Sequence, residues 1–304
     1  MSLDQITNLL VTITLFELMV AVGLSVRLSD LRAVARDWKL AARAVLANYI
    51  VVPAATVGLL LLFRSHPMVA AGFLVLAVCP GAPYGPPFTA IARGNVVVAV
   101  GMMVLLAGSS AVLAPILLPI LLSRLPGDET LTVNATKIAA TLLVTQLVPL
   151  CIGVALRHWR PLLADRLTKP AGLLSKVLNL AVVILILTTQ YRSLAQFTLR
   201  ALAGMLALLV ASFAAGYILG SRDASQRRAM TVTTSLRNVG VGLVIATATF
   251  AGTPAVTAVV LYGLVEVLGS LLLALWWGRR ASALDDGQRV RRDDALLVSG
   301  DHPH

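Results

Sequence analysis

The stretch Cys79-Pro80-Gly81-Ala82-Pro83-Tyr84-Gly85-Pro86-Pro87 decides the fold. Its four prolines fall within eight residues. They cannot stay helical, because each lacks an N–H and its ring clashes with the preceding turn. Yet the flanks are apolar: Met68–Cys79 reads as a helix of about twelve residues, roughly 18 Å long, and Phe88–Ala92 resumes hydrophobic sequence before Arg93-Gly94-Asn95. A helix that short does not cross a bilayer core of about 30 Å. Non-helical backbone at membrane depth is tolerated only where it is buried in protein or lines a cavity. The stretch therefore predicts a discontinuous transmembrane helix, the kind that frames a transporter binding site. A tight hairpin between two interfacial segments is the alternative, and a second, similar interruption further on argues against it.

Composition sets the class. Of 304 residues, 58% are hydrophobic and 13% charged, with a mean hydropathy of +0.87; a soluble domain carries about 25% charged residues. An all-α polytopic membrane protein follows, with the lipid bilayer as its solvent. The net charge of +11 does not point to nucleic acid, because the basic residues sit in short loops between apolar runs. Nine membrane-crossing elements are expected at about 6–26, 40–63, 68–93 (broken), 95–123, 138–156, 172–191, 200–220, 226–252 (broken) and 255–277. Residues 1–280 form one transporter domain, and 281–304 a disordered cytoplasmic tail. Basic residues crowd one face, in the loops around 27–43, 157–176 and 222–228 and in the tail. The other face holds Arg64, Arg124, Lys137, Arg192 and Arg200. The positive-inside rule then puts the N-terminus outside and the C-terminus in the cytoplasm of a cell (inner or plasma) membrane.

The second interruption is Thr231-Val232-Thr233-Thr234-Ser235-Leu236-Arg237-Asn238-Val239-Gly240. Hydroxyl side chains can bond the carbonyls of the preceding turn, and Gly240 permits close approach of another chain. Each break is followed by one intact span. The halves, about 6–124 and 138–277, hold four and five spans, so they run in opposite directions: an inverted repeat lacking its first helix. Three ionisable side chains lie deep in apolar sequence, namely Glu17, Arg237 and Glu266. Such residues usually pair or line a path. Pairing of Arg237 with Glu266 or with Glu17 is one expectation, and a coupling role for these three is the other. Asn48, five residues before Pro53, and Gln146 are further polar residues within spans.

The run Cys79-Pro80-Gly81 … Ala92-Arg93-Gly94-Asn95 resembles the crossover region of the bile acid:sodium symporter family. Met19-Val20-Ala21-Val22-Gly23-Leu24, Asn48 before Pro53, and Arg237-Asn238 followed by Gly240 agree with it. The resemblance covers about 6–277. It implies a ten-helix fold, here reduced to nine, in which a core domain (spans 2, 3, 4, 7, 8 and 9) carries two crossed broken helices and moves against a panel (spans 1, 5 and 6). It implies a symporter of small or amphipathic organic anions. It places the substrate beside the crossing, near Asn48, Tyr84, Gly85, Pro86, Pro87, Thr233, Thr234, Ser235, Arg237, Asn238 and Gly240. The chain departs from the family at the ion sites. Where sodium-coupled members have Ser-Asn, it has Gly85-Pro86; where they have hydroxyls on the next helix, it has Ala99 and Met103. Their glutamate and glutamine in the second crossover become Thr233 and Arg237. Sodium is accordingly not expected as a partner, while a proton, carried by Glu17 or Glu266, is allowed. The alternative function is a proton- or ion-coupled antiporter, or an arsenite-type exporter, on a related fold. No paired carboxylates, His-rich helix or G-x-S-x-G is present, so no enzyme, metal site or cofactor is expected.

Overall fold

The computed structural model describes residues 3–125, 133–189 and 199–299, and among them the regular elements are all helices, with no strand. Among the described residues, seven helices are long and apolar enough to cross a membrane: Gln5–Ser25, Trp38–Leu62, Val96–Leu122, Ala135–Trp159, Pro161–Thr189, Leu199–Ile218 and Pro254–Ala281. Two pairs of shorter helices stand where the sequence predicts broken spans. In chain order the elements are α1 (Leu3–Ser25), α2 (Leu28–Arg36), α3 (Trp38–Leu46), α4 (Val52–Leu62), α5 (Pro67–Ala77), α6 (Gly85–Ile91) and α7 (Val96–Leu122). They continue as α8 (Ala135–Leu142), α9 (Val148–Trp159), α10 (Pro161–Thr189), α11 (Leu199–Ile218), α12 (Ala224–Ser235), α13 (Val239–Thr249) and α14 (Pro254–Ser299).

Prolines shape these elements in two ways. Pro86 and Pro87 fall in the first turn of α6, where a missing N–H leaves no intrahelical bond unmade. Pro53 and Pro149 instead lie just inside α4 and α9, each preceded by a single π-helical turn, Ala47–Val51 and Leu143–Leu147. A proline cannot bond the carbonyl four residues back and its ring presses on it, so the preceding turn widens. Asn48 and Gln146 lie in these two widened turns, and both are fully buried.

The element α2 falls where a basic loop is expected. Leu28, Leu31 and Val34 recur every three residues among its charges, which makes a short amphipathic helix of about two and a half turns rather than a loop. Gly101 of α7 admits it: a Cβ there would stand 2.3 Å from Val34 Cγ2. At the other end α14 continues as helix to Ser299, where composition predicts a disordered tail. Ala, Leu and Arg are strong helix formers, and no proline interrupts 280–299.

Helices α1, α9 and α10 pack on one another, while α4–α7 and α11–α14 form a second group. α8, which runs through the π turn into α9, reaches the second group at α7, and α1 reaches it at α13. Within the first group α1 and α9 meet backbone to backbone, since a Cβ on Gly23 would lie 2.5 Å from Leu150 O and one on Gly153 would lie 2.4 Å from Val20 O. Small residues allow such approach in lipid, where packing replaces the hydrophobic driving force. The outer faces are apolar: Leu9, Ile13 and Phe16 on α1, and Val112, Ile116 and Ile120 on α7, are all exposed. Those spacings put each trio on one helix face, as a bilayer solvent requires.

Candidate functional site at the crossing of the broken helices

The two breaks meet. Pro80 and Arg237 form an isolated antiparallel bridge, the Asn238 N–H donates to Cys79 O at 2.7 Å, and Asn238 Nδ2 reaches Gly81 O at 3.5 Å. Backbone freed by the prolines of one break is thus bonded by the other, which is how irregular chain survives away from water. The Asn238 side chain also caps α13, accepting from the Val241 N–H at 3.2 Å. Gly81 adopts φ +90°, and a Cβ there would stand 2.4 Å from the backbone nitrogen of Ala107 on α7. The reading of the sequence singled out Gly85, yet a Cβ on Gly85 meets nothing nearer than Thr233 Oγ1 at 3.7 Å. The obligatory glycine is Gly81, and its signal was the Pro80-Gly81 dipeptide itself.

Hydroxyls at the end of α12 turn back onto their own helix. Thr233 Oγ1 donates to Ala229 O at 2.6 Å and Ser235 Oγ to Val232 O at 2.9 Å. Ser235 Oγ also lies 2.9 Å from Ser270 Oγ on α14. Asn48 ties the widened turn to this helix: its Nδ2 donates to Ala44 O at 2.9 Å and to Thr234 Oγ1 at 3.3 Å, while its Oδ1 is buried without a partner. Gln146 Nε2 donates to Ala107 O at 2.6 Å, so it belongs to the α7 contact beside Gly81. Tyr49, which sequence reasoning passed over, donates its hydroxyl to Leu106 O at 2.8 Å.

Arg237 is 2% exposed. Its guanidinium donates through Nη2 to Thr234 O, and its Nε and Nη1 are buried without a partner. The expected ion pairs do not form. Glu266 Oε1 accepts the Arg237 backbone N–H at 2.8 Å and its Oε2 has no partner. Glu17 accepts from Ser175 Oγ at 2.7 Å, between α1 and α10. Helical position places these three residues at similar depth but says nothing about which way each side chain leaves its helix. Of the remaining expected residues, Pro86 is buried, Tyr84 and Pro87 are exposed, and Gly240 lies on the seam, a Cβ there standing 3.3 Å from Leu15 Cδ1 of α1.

A second junction lies at the far ends of the same half-helices. Arg228 Nη1 of α12 donates to Ala92 O at 3.0 Å, and the Asn95 N–H donates to Ser225 O at 3.0 Å. Asn95 Oδ1 then caps α7 by accepting from the Val98 N–H at 3.1 Å. The Ala92-Arg93-Gly94-Asn95 run is therefore the joint where α6 ends, α7 begins and α12 is held.

The family model described as Sodium Bile acid symporter family matches residues 12–216. The chain belongs to this family. Members are membrane transporters and not enzymes, so the sodium/bile acid symporter fold here serves solute transport, of the symporter type, across a membrane that the chain crosses several times. It is similar to the uncharacterized sodium-dependent transporter YocS of Bacillus subtilis (strain 168), at 23% identity over 289 residues, covering 92% of this chain and 86% of that protein. It is 28% identical over 275 residues to the probable chloroplastic sodium/metabolite cotransporter BASS1 of Arabidopsis thaliana, covering 88% of this chain and 67% of the other. A probable chloroplastic sodium/metabolite cotransporter of rice, BASS2, is 25% identical over 285 residues, covering 91% and 66%. These family relatives carry sodium in their names.

Proposed function

We propose that this chain moves a small or amphipathic organic anion by alternating access of core against panel, and that it does so without sodium. The observation that carries this reading is Arg237, a guanidinium buried in the second break, bonded to Thr234 O and keeping its Nε and Nη1 nitrogens unpartnered. Arginine holds its charge and offers five donors in a fixed fork. At the crossing it can offset the converging carbonyl dipoles of the half-helices, a task that a bound cation would otherwise perform. The neighbouring side chains offer little to a hard cation, which needs several oxygen ligands. Ala99 and Met103 are buried without an oxygen, Pro86 has none, and Thr233 spends its hydroxyl on Ala229 O. The anionic headgroup sits beside the crossing, near Asn48, Asn238 and the Tyr84–Pro87 backbone. The basic loops lie in the cytoplasm, and residues 1–280 act as one transport domain of the cell membrane.

One observation favours a second reading, proton-coupled exchange. Glu266 Oε2 is buried without a partner, so a proton there would change the charge at the crossing. Flux of a panel of organic anions into proteoliposomes, with sodium and pH gradients imposed separately, tests both. Uptake that ignores the sodium gradient agrees with the first reading, uptake driven by pH alone selects the second, and sodium-driven uptake refutes both.

A further inference from the structure

A cavity of about 430 Å³ opens at one end of the core, away from the crossing. Its walls come from α4, α5, α11 and the start of α14, with nothing from α1, α9 or α10, so it is separate from the seam between core and panel. Thr56, Leu60, Phe73 and Leu208 line its depth, and Arg64, His66 and Arg200 stand at its mouth. Eight residues of helix separate Thr56 from Arg64, and eight separate Arg200 from Leu208, so the cavity runs in by roughly 12 Å at 1.5 Å per residue. Its volume lies within the range of about 300–1,000 Å³ usual for small-molecule sites.

Two observations at the mouth point to an anion. The basic residues of this chain avoid this face; of the five sequence positions on it, Arg64 and Arg200 converge on one cavity. Arg64 also occupies a place that suits glycine. Ser65 N donates to Leu60 O and Arg64 N to Leu61 O, which closes α4 in a Schellman turn, and Arg64 takes its left-handed position at φ 47°. Such a position costs a side chain energy that glycine avoids. The local fold prefers glycine there, while the cavity mouth gains a guanidinium.

We propose that this cavity binds a single-chain anionic amphiphile, with its carboxylate or phosphate held by Arg64 and Arg200 and its tail laid along Leu60, Phe73 and Leu208. A depth of ~12 Å suits an extended tail of about ten carbons, given bonds of about 1.5 Å. The anion answers the paired guanidinia, which favour planar or branched oxyanions, and the tail answers the apolar walls. The site does not depend on the substrate reading above.

Purified protein in a neutral detergent is titrated with potassium decanoate, and with 1-decanol as the uncharged control, while thermal stability and binding heat are followed. Saturable binding of decanoate, with none of decanol, is expected. Arg200→Gln should weaken it by roughly 10-fold to 100-fold, the worth of one charge-assisted hydrogen bond. Arg64→Gly should weaken it as much and also raise the melting temperature of the ligand-free protein, because the left-handed strain is relieved; that rise shows the variant folded. Arg124→Gln, which alters a basic residue that does not line the cavity, should leave decanoate binding unchanged. Mass spectrometry of protein from nanodiscs containing anionic or only zwitterionic lipid tells a bilayer source from a free amphiphile. Retained anionic lipid that Arg64→Gly releases indicates the bilayer, and no retained lipid alongside decanoate binding indicates a free solute. Decanoate binding that persists in both arginine variants, or no binding at all, overturns the proposal.

Discussion

Replacing Gly81 by alanine puts one methyl group into the tightest point of the crossing. Two penalties act together. At φ +90° an L side chain sits in backbone that only glycine adopts freely, at about 1–3 kcal/mol. The new Cβ would also stand 2.4 Å from Ala107 N and 2.8 Å from both Ala107 Cα and Met103 O. These are backbone atoms of α7, which cannot rotate away as a flexible side chain would, so overpacking adds about 1–3 kcal/mol more. The sum, about 2–6 kcal/mol, is a large share of the roughly 5–15 kcal/mol that holds a folded domain together. Gly85→Ala is the control four residues on: its Cβ makes ordinary contact with Thr233 at 3.7 Å and should change stability by less than about 0.5 kcal/mol. Thermal unfolding of both variants in detergent, followed by static light scattering and tryptophan fluorescence, gives the comparison. Gly81→Ala should melt many degrees below the parent or fail to accumulate, while Gly85→Ala should match it. Equal melting of the two variants would show that α7 does not exclude a side chain at Gly81, and a defect confined to Gly85→Ala would make Gly85 the constrained glycine.

Arg237→Gln should abolish solute flux and not be rescued by sodium at any concentration; recovery of flux in high sodium would show that a cation can take the guanidinium's place. Asn48→Leu removes the bond to Thr234 Oγ1 and should lower stability by about 1–3 kcal/mol, the desolvation penalty of a polar group left unpaired, as read from a shift in the chemical-denaturation midpoint. Gly240→Leu should block flux by filling the seam against Leu15 while leaving the melting temperature within a few degrees, and undiminished flux would remove Gly240 from the transport path. Asp223 caps α12: hydrogen bonds from Ser225 Oγ and then from the Gln226 N–H hold its exposed carboxyl below the ordinary carboxylate range. A lowered folded value means that the cap contributes fully above the unfolded carboxylate pKa and is lost as pH falls through the folded one. The protection of the amides at the start of α12, measured relative to their intrinsic exchange rate at each pH, should therefore fall in acid for the parent and not for Asp223→Asn, since asparagine caps without titrating.

Much of the fold was legible because proline and glycine act on the backbone directly. Four prolines between Cys79 and Pro87 end one helix and begin another wherever the chain lies, and the hydroxyl-rich run before Arg237 marks the second break in the same local way. Asn48 and Gln146 stood out as polar residues in apolar spans, but the π-helical turns that carry them were hidden, although Pro53 and Pro149 were their visible cause. Contacts between distant segments were not legible. The choice between Gly81 and Gly85 depends on where α7 passes, and the failure of Arg237 to pair with Glu266 depends on the side-chain directions. Glu17 looked equivalent to Glu266 along the chain, yet it faces Ser175 on α10. The charges of Leu28–Arg36 masked an amphipathic helix because its apolar stripe is only three residues long.

The proposed role of Arg237, a fixed guanidinium standing where a coupling cation would otherwise be needed, can be tested without knowing the solute. The melting temperature of the purified protein is measured against increasing sodium chloride, with potassium chloride replacing it at constant ionic strength. A ligand that binds only the folded state stabilises it in proportion to the logarithm of its concentration over its dissociation constant. Superimposable curves for the two salts are expected. A saturable, sodium-specific rise in melting temperature would show that sodium binds the folded protein and would overturn the proposed role of Arg237.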